Sequence, residues 1–164
     1  MGENLSLHIN HLFNTPEHLS TVAGWIYHEF WQDKPGYSPA IFEALLRDAD
    51  DPDRIPLSLL ALVDDRPAGT VNLIHNDDPT RPHLHPWLAA LVVVPQYRGQ
   101  GVGSALVRAL LQEARRLDVS ELYLGTDIPG FYERRGAVIH EHPGEDHWIM
   151  RFMIEAESPV VPGS

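Results

Sequence analysis

Apolar residues recur along this chain in two rhythms, every second position and every third or fourth. Leu5, Leu7 and Ile9 alternate with Ser6, His8 and Asn10, which predicts a first strand over 5–10. Thr15-Pro16-Glu17 reads as a helix start, with Thr15 as N-cap and Pro16 at the first helical position. Val22, Trp25, Ile26 and Phe30 share one face and carry that helix to about Trp31, and Lys34-Pro35-Gly36 breaks it. Ser38-Pro39 opens a second helix in the same way, with Ile41, Leu45 and Leu46 apolar, and the acidic loop Asp48 to Asp53 ends it.

The rhythm then changes. Pro56 to Val63 reads as a strand, Asp64-Asp65-Arg66-Pro67 as a turn, and Gly69 to His75 as the returning strand of a hairpin. Asn76 to Pro86, rich in Pro, Asp and His, reads as a loop. Trp87 to Val94 carries no ionisable residue and reads as a strand covered on both faces, which Pro95 ends because it cannot donate to a ladder. The helix of 105–117 keeps Val102, Ala105, Leu106, Ala109, Leu110 and Leu117 on one face. Glu121 to Gly125 follows as a strand and Gly130 to Arg135 as a short helix. Ala137 to His142 and Trp148 to Ile154 form a last antiparallel pair, and Glu155 to Ser164 reads as a flexible tail. No repeat and no second domain is visible.

Candidate chemistry sits where the central strand meets its helix. Gly99, Gly101 and Gly103 separate the two, and a strand running through a glycine turn into a helix offers backbone N–H groups to an anion. The spacing is neither the P-loop pattern nor the full dinucleotide fingerprint. Arg98-x-x-Gly101-x-Gly103 after an apolar strand resembles the acetyl-CoA motif of the GNAT acetyltransferases, (Gln/Arg)-x-x-Gly-x-(Gly/Ala). Phe131-Tyr132-Glu133-Arg134-Arg135-Gly136-Ala137 resembles that family's Phe/Tyr-Tyr-Glu-(Lys/Arg)-x-Gly-Phe. The two blocks lie within Trp87 to His142, roughly a third of the chain; the N-terminal half matches only in its order of elements.

The resemblance implies an α/β fold. It is a single GNAT-like domain over 1–154 with a mixed, mostly antiparallel central sheet flanked by helices, in the order β-α-α-β-β-β-α-β-α-β-β, and a tail over 155–164. It also implies acetyl-CoA as cosubstrate. The amides of Arg98, Gly99, Gln100, Gly101, Val102, Gly103 and Ser104 would hold the pyrophosphate. The backbone of Leu91, Val92 and Val93 would pair with the pantetheine arm. Tyr132 matches the tyrosine that protonates the leaving thiolate, and a phenol with a pKa of about 10 suits that task; the alternative is that Tyr132 only packs beside Phe131. Arg134 and Arg135 either reach the phosphates or face solvent.

The general base departs from the family's pattern, in which many members carry a glutamate on the central strand. Three alternatives stay open here: Asp127 just past the next strand, His83 or His85 in the loop before the central strand, or water. Asp127 serves equally as a turn residue before Pro129. His83-x-His85 has no ligand cluster around it, so no metal is expected. The family's acceptor region is walled by the first two helices and the last hairpin, which here supply Phe30, Trp31, Tyr37, Glu141, Glu145, Asp146 and Trp148.

Composition narrows the reading. At 164 residues, one domain able to bury roughly 70% of its unfolded surface is expected. The absence of cysteine excludes disulfides and thiolate zinc sites within the sequence. MGENLSLHIN lacks the basic flank and apolar core of a signal peptide, and no apolar run approaches the roughly 20 residues that cross a bilayer. A cytoplasmic protein with no membrane partner, monomeric or a homodimer, is therefore expected. The net charge of −11 argues against nucleic acid and suits a cationic amine, either a small molecule or a peptide N-terminus; solubility alone also explains it. Three function classes follow: an acetyl-CoA-dependent N-acetyltransferase, a non-catalytic acyl-CoA-binding or sensor module, and an unrelated nucleotide-binding α/β protein.

Overall fold

The computed structural model describes residues 6–156. Four runs rich in branched apolar residues pair as an antiparallel meander: β1 (Leu7–His11), β2 (Leu57–Val63), β3 (Arg66–Ile74) and β4 (Trp87–Val93). A second group, β5 (Glu121–Thr126), β6 (Val138–Gly144) and β7 (His147–Met153), is also antiparallel internally. One parallel pair joins the groups, β4 to β5, and the seven-stranded sheet has the order β1-β2-β3-β4-β5-β7-β6. Four helices cover it: α1 (Leu19–Ile26), α2 (Pro39–Arg47), α3 (Val102–Arg116) and α4 (Pro129–Glu133).

Strand alternation decides which helix meets which face. Leu60 of β2 points into a cluster with Leu12, Val22, Ala23, Ile26, Phe42 and Leu46, beneath α1 and α2. Its neighbours Leu59 and Ala61 point the other way, into the larger core with Leu106, Leu110, Leu122, Met150 and Phe152, beneath α3 and α4. The central strands are therefore apolar on both sides, and this is why they read as continuous hydrophobic runs rather than alternating ones. Element order and class agree with the sequence expectation.

Local boundaries differ in informative ways. The expected helix from Pro16 to Trp31 is three pieces: a 3-10 turn over Pro16–His18, α1, and a wider π turn over Tyr27–Trp31. Thr15 does not cap it; its hydroxyl donates back to the Leu12 carbonyl at 3.2 Å. Trp31, at the end of the π turn, lies against Tyr37 and Phe42, with ring centroids 4.3 and 5.7 Å away. The hairpin after β2 is tighter than expected. Asp64 and Asp65 hold φ of +49° and +65°, so two aspartates make the turn, and β3 starts at Arg66. Ala68 is an extra residue there, between the pairs Leu62↔Pro67 and Ala61↔Gly69, and such a bulge lets a strand carry a proline. The expected flexible tail has no regular structure at Glu155 and Ala156, and 157–164 lie outside the described residues. Among the described residues, no helix is long and apolar enough to cross a membrane.

Gly69 carries a packing demand that patterning alone does not reveal. A Cβ placed on it would sit 2.7 Å from the Val92 carbonyl oxygen and 3.0 Å from Leu106 Cδ1. Backbone on one side and a core leucine on the other leave little room to move. Gly69→Ala is expected to lower the unfolding free energy by about 2 kcal/mol, the scale of core overpacking. Urea denaturation checks this, and parental stability would show that β3 and β4 separate freely.

Candidate functional site

β4 and β5 touch at one end only. Their register holds a single pair, Trp87↔Tyr123, reinforced by the Tyr123 N–H donating to the Pro86 carbonyl at 3.0 Å. Beyond it the strands diverge, and β4 has a ladder partner on its β3 side alone. A bulge adds to the divergence. Val71 stands opposite two residues, Ala90 and Leu91, and Ala90 adopts φ +52°. A left-handed alanine costs about 1–2 kcal/mol, so the surroundings must hold it. The side-chain amide of buried Asn72 donates to the carbonyls of Ala89 and Ala90, at 3.4 Å each, and Ala90 packs against the cluster beneath α1.

At the open end, β4 runs through the 3-10 turn Pro95–Tyr97 into the glycine segment and α3. Gly99 and Gly101 hold φ of +77° and +83°, a region favouring glycine, and Gly101 is the N-cap of α3. No side chain caps this helix, and its first hydrogen bond runs from Ala105 N–H to the Gly101 carbonyl. The amides of Val102, Gly103 and Ser104 thus precede the ladder and point out of the helix end, where the macrodipole favours negative charge.

A cleft of about 390 Å³ joins these features. Its walls are Leu91, Val92 and Val93 of β4, the turn from Tyr97 to Ser104, one face of α4 with Ile128 before it, and Glu29 from the π turn. Arg135 brings a second cation beside Arg98. Its guanidinium lies 3.7 Å from the Phe131 ring centre, donates to the Phe131 carbonyl at 2.6 Å and reaches Ser104 Oγ at 3.2 Å. Burial pulls its pKa down, with Arg134 and Arg108 adding to the effect. Arg98 folds back, its Nε donating to the Val93 carbonyl at 3.0 Å. Anion donors next to an unpaired strand edge suit a phosphorylated ligand with an extended, amide-bearing arm.

The residues expected from the sequence divide into two groups. Leu91, Val92, Val93, Arg98, Gly99, Gly101, Val102, Gly103 and Ser104 all line the cleft. Gln100 belongs to the same turn but folds back, donating to the Gln96 carbonyl at 3.1 Å. Tyr132 lies behind the cleft wall, 6% exposed, with its ring edge-on to Phe131 and Phe152 at 4.9 and 6.5 Å. Burial pushes its phenol up to about 12, Arg135 works against that, and Asp127 adds to it. Asp127 is exposed on the β5–α4 connection. His83 and His85 are exposed in the loop before Trp87, at the closed end of the strand pair and outside the cleft lining. Among the described residues no group of three or more His, Asp or Glu gathers as a metal site would require.

The carboxylates expected on the acceptor side also separate. Glu141 is engaged by Arg81, whose Nε and Nη2 both donate to it while Nη1 bonds Asp78 at 2.8 Å, so this carboxylate ties the β3–β4 loop to β6. Arg81 holds Glu141 below the usual carboxylate range. Glu145 and Asp146 form the exposed β6–β7 turn. Glu29 and Ile128 were not singled out from the sequence. Glu29 occupies a polar position in an amphipathic stretch, and nothing in a one-dimensional pattern distinguishes it from a solvated face.

The sequence profile described as the Acetyltransferase (GNAT) family matches residues 22–137. The chain belongs to the GNAT acetyltransferase family. It is similar to human N-acetyltransferase 8B, at 41% identity over 63 residues, which is 38% of this chain and 28% of that protein. It is similar to N-alpha-acetyltransferase 30 of Schizosaccharomyces pombe, at 33% identity over 84 residues, 48% of this chain and 55% of that protein. The match thus spans about a quarter to a half of these curated relatives' length. Among solved structures, a GNAT family N-acetyltransferase from Escherichia coli in complex with CoA superposes with a TM-score of 0.67 at 20% identity, covering 94% of this chain and 85% of that one. At that identity the likeness concerns the fold.

Proposed function

We propose that this protein is an acetyl-CoA-dependent N-acetyltransferase working by direct attack in a ternary complex. The observation that carries this reading is the meeting, in one cleft, of the uncapped α3 N-terminus with the unpaired edge of β4. Free amides of Val102, Gly103 and Ser104, with Arg98 and Arg135, match the pyrophosphate of acetyl-CoA. The edge at Leu91 to Val93 matches the amides of its pantetheine arm, which would lie in the gap as an added strand. The thioester then lies beside the bulge, where a backbone N–H can stabilise the tetrahedral oxyanion.

The chemistry asks little else of the protein. A neutral amine attacks the thioester carbonyl, and the departing thiolate takes a proton. Positioning supplies much of the rate, and no metal takes part in this reading. Tyr132 is the proposed proton donor. The acceptor is an amine, on a small molecule or at a peptide N-terminus, and the acidic balance of the chain suits a cationic one. A cytoplasmic setting and a monomer or homodimer belong to the same reading. One observation favours a second reading, a non-catalytic acyl-CoA sensor: β4 carries no carboxylate, from Trp87 to Val93.

Two measurements separate the readings. Calorimetry with acetyl-CoA should show stoichiometric binding, and a free-thiol assay should show release with at least one amine among spermidine, kanamycin and a short peptide. Binding without release for any amine favours the sensor. Absence of binding sinks both.

A further inference from the structure

Glu29 stands apart from the other acids among the described residues. Among the described residues it is the one carboxylate lining the cleft, and it belongs to none of their ion pairs. It sits on the π turn that ends the first helix. Tyr27 and Trp31, at the two ends of that turn, pack against the same core cluster as Ala90 of the β4 bulge. Glu29 and Leu91 both line the cleft, and the acetyltransferase reading gives the Leu91 edge to the acetyl donor.

We infer that Glu29 is the acceptor-side catalytic residue: its carboxylate pairs with the protonated amine of a cationic acceptor and takes the proton that amine must lose. The inference rests on the acetyltransferase reading. Other sources of this role are placed elsewhere. β4 has no ionisable side chain, His83 and His85 lie at the closed end, Asp127 is, like Glu29, exposed but stands outside the cleft lining, and Glu141 is held by Arg81.

The proton balance is complete without any further reagent. The ammonium group gives one proton to Glu29 and becomes a neutral amine. Its nitrogen forms a bond to the thioester carbonyl carbon, and the carbon–sulfur bond breaks. The nitrogen's second proton replaces the one delivered to the thiolate, leaving an amide and a free thiol. Glu29 returns its proton to solvent.

The test uses the full chain, Glu29→Gln and Glu29→Asp, with thiol release and calorimetry as readouts. Spermidine, kanamycin and a short peptide serve as cationic acceptors, and aniline, uncharged at neutral pH, serves as the comparison. For Glu29→Gln the expected result is a fall in kcat/KM of about 10²-fold with the cationic amines, the scale of one positioned base. Turnover of aniline should change less than about 3-fold, acetyl-CoA affinity should stay parental, and Glu29→Asp should recover part of the loss. Equal losses with aniline and the cationic amines, or parental rates throughout, overturn the assignment of Glu29 while leaving the acetyltransferase reading in place. A parent that binds acetyl-CoA yet releases thiol with none of these amines overturns that reading and this inference together.

Discussion

Gly103→Glu is expected to weaken acetyl-CoA binding by about 10²-fold or more while the protein stays folded. Gly103 lies in the first turn of α3, and a Cβ added there would meet Phe131 Cζ and Val93 Cγ2 at 3.5 Å, an ordinary contact. A methyl group therefore fits, and Gly103→Ala serves as a control that folds at least as stably, since alanine is the better helix former. The remaining atoms of a glutamate have nowhere to go but the cleft that Gly103 lines. They carry negative charge to a helix end built for anions and cover amides that a pyrophosphate needs. A hydrogen bond to a charged group contributes about 1.5–3 kcal/mol, so losing two spans roughly 10²- to 10⁴-fold. Calorimetry reads the loss directly, and circular dichroism melting confirms the fold. A folded Gly103→Glu that binds like the parent would remove the glycine turn from the site.

Tyr132→Phe should slow the chemical step by about 10²-fold and leave acetyl-CoA binding intact. The phenol, pushed up to about 12, stays protonated across the working range, as a proton donor must. The same shift makes donation less downhill, which places the effect at the low end for general acids. Single-turnover thiol release is the right measurement, because slow product release can hide a chemical step. Packing against Phe131 and Phe152 offers the rival account, and it predicts normal turnover for a variant that keeps the ring. A second readout is independent of catalysis. A group whose folded pKa lies above its unfolded one gives stability that is fully present below pH about 10 and lost as pH rises through about 12, here about 2–3 kcal/mol. Tyr132→Phe should flatten that alkaline loss in a urea-midpoint series.

The fold and one half of the candidate site were legible in the sequence for different reasons. Trp87 to Val94 announces a doubly covered strand by composition alone, and the glycines after it announce the turn. Both signals are local, and the structure keeps both. The first helix shows where local signals fail. Thr15 and Pro16 carry the residue types of a cap, yet the Thr15 hydroxyl finds the Leu12 carbonyl instead. The proposed acceptor half is a tertiary product. Whether Glu141 is free depends on where Arg81 lands, sixty residues before it in the chain. Asn72 at the bulge is equally silent, because its partners are backbone carbonyls of another strand.

The placement of β7 between β5 and β6 has a consequence for the order in which the molecule is made. On the ribosome, β1 to β4 can pair as each leaves the tunnel, since every neighbour in that meander has already been synthesised. The later strands have no such luxury. β6 emerges before β7 yet pairs with the sheet only through it, so it must wait, its edge uncovered, for a strand not yet translated. Phe152, one of the rings that bury Tyr132, arrives on that same strand. The β4 edge and glycine turn proposed to cradle the acetyl donor are thus synthesised before the buried surroundings of Tyr132 are complete.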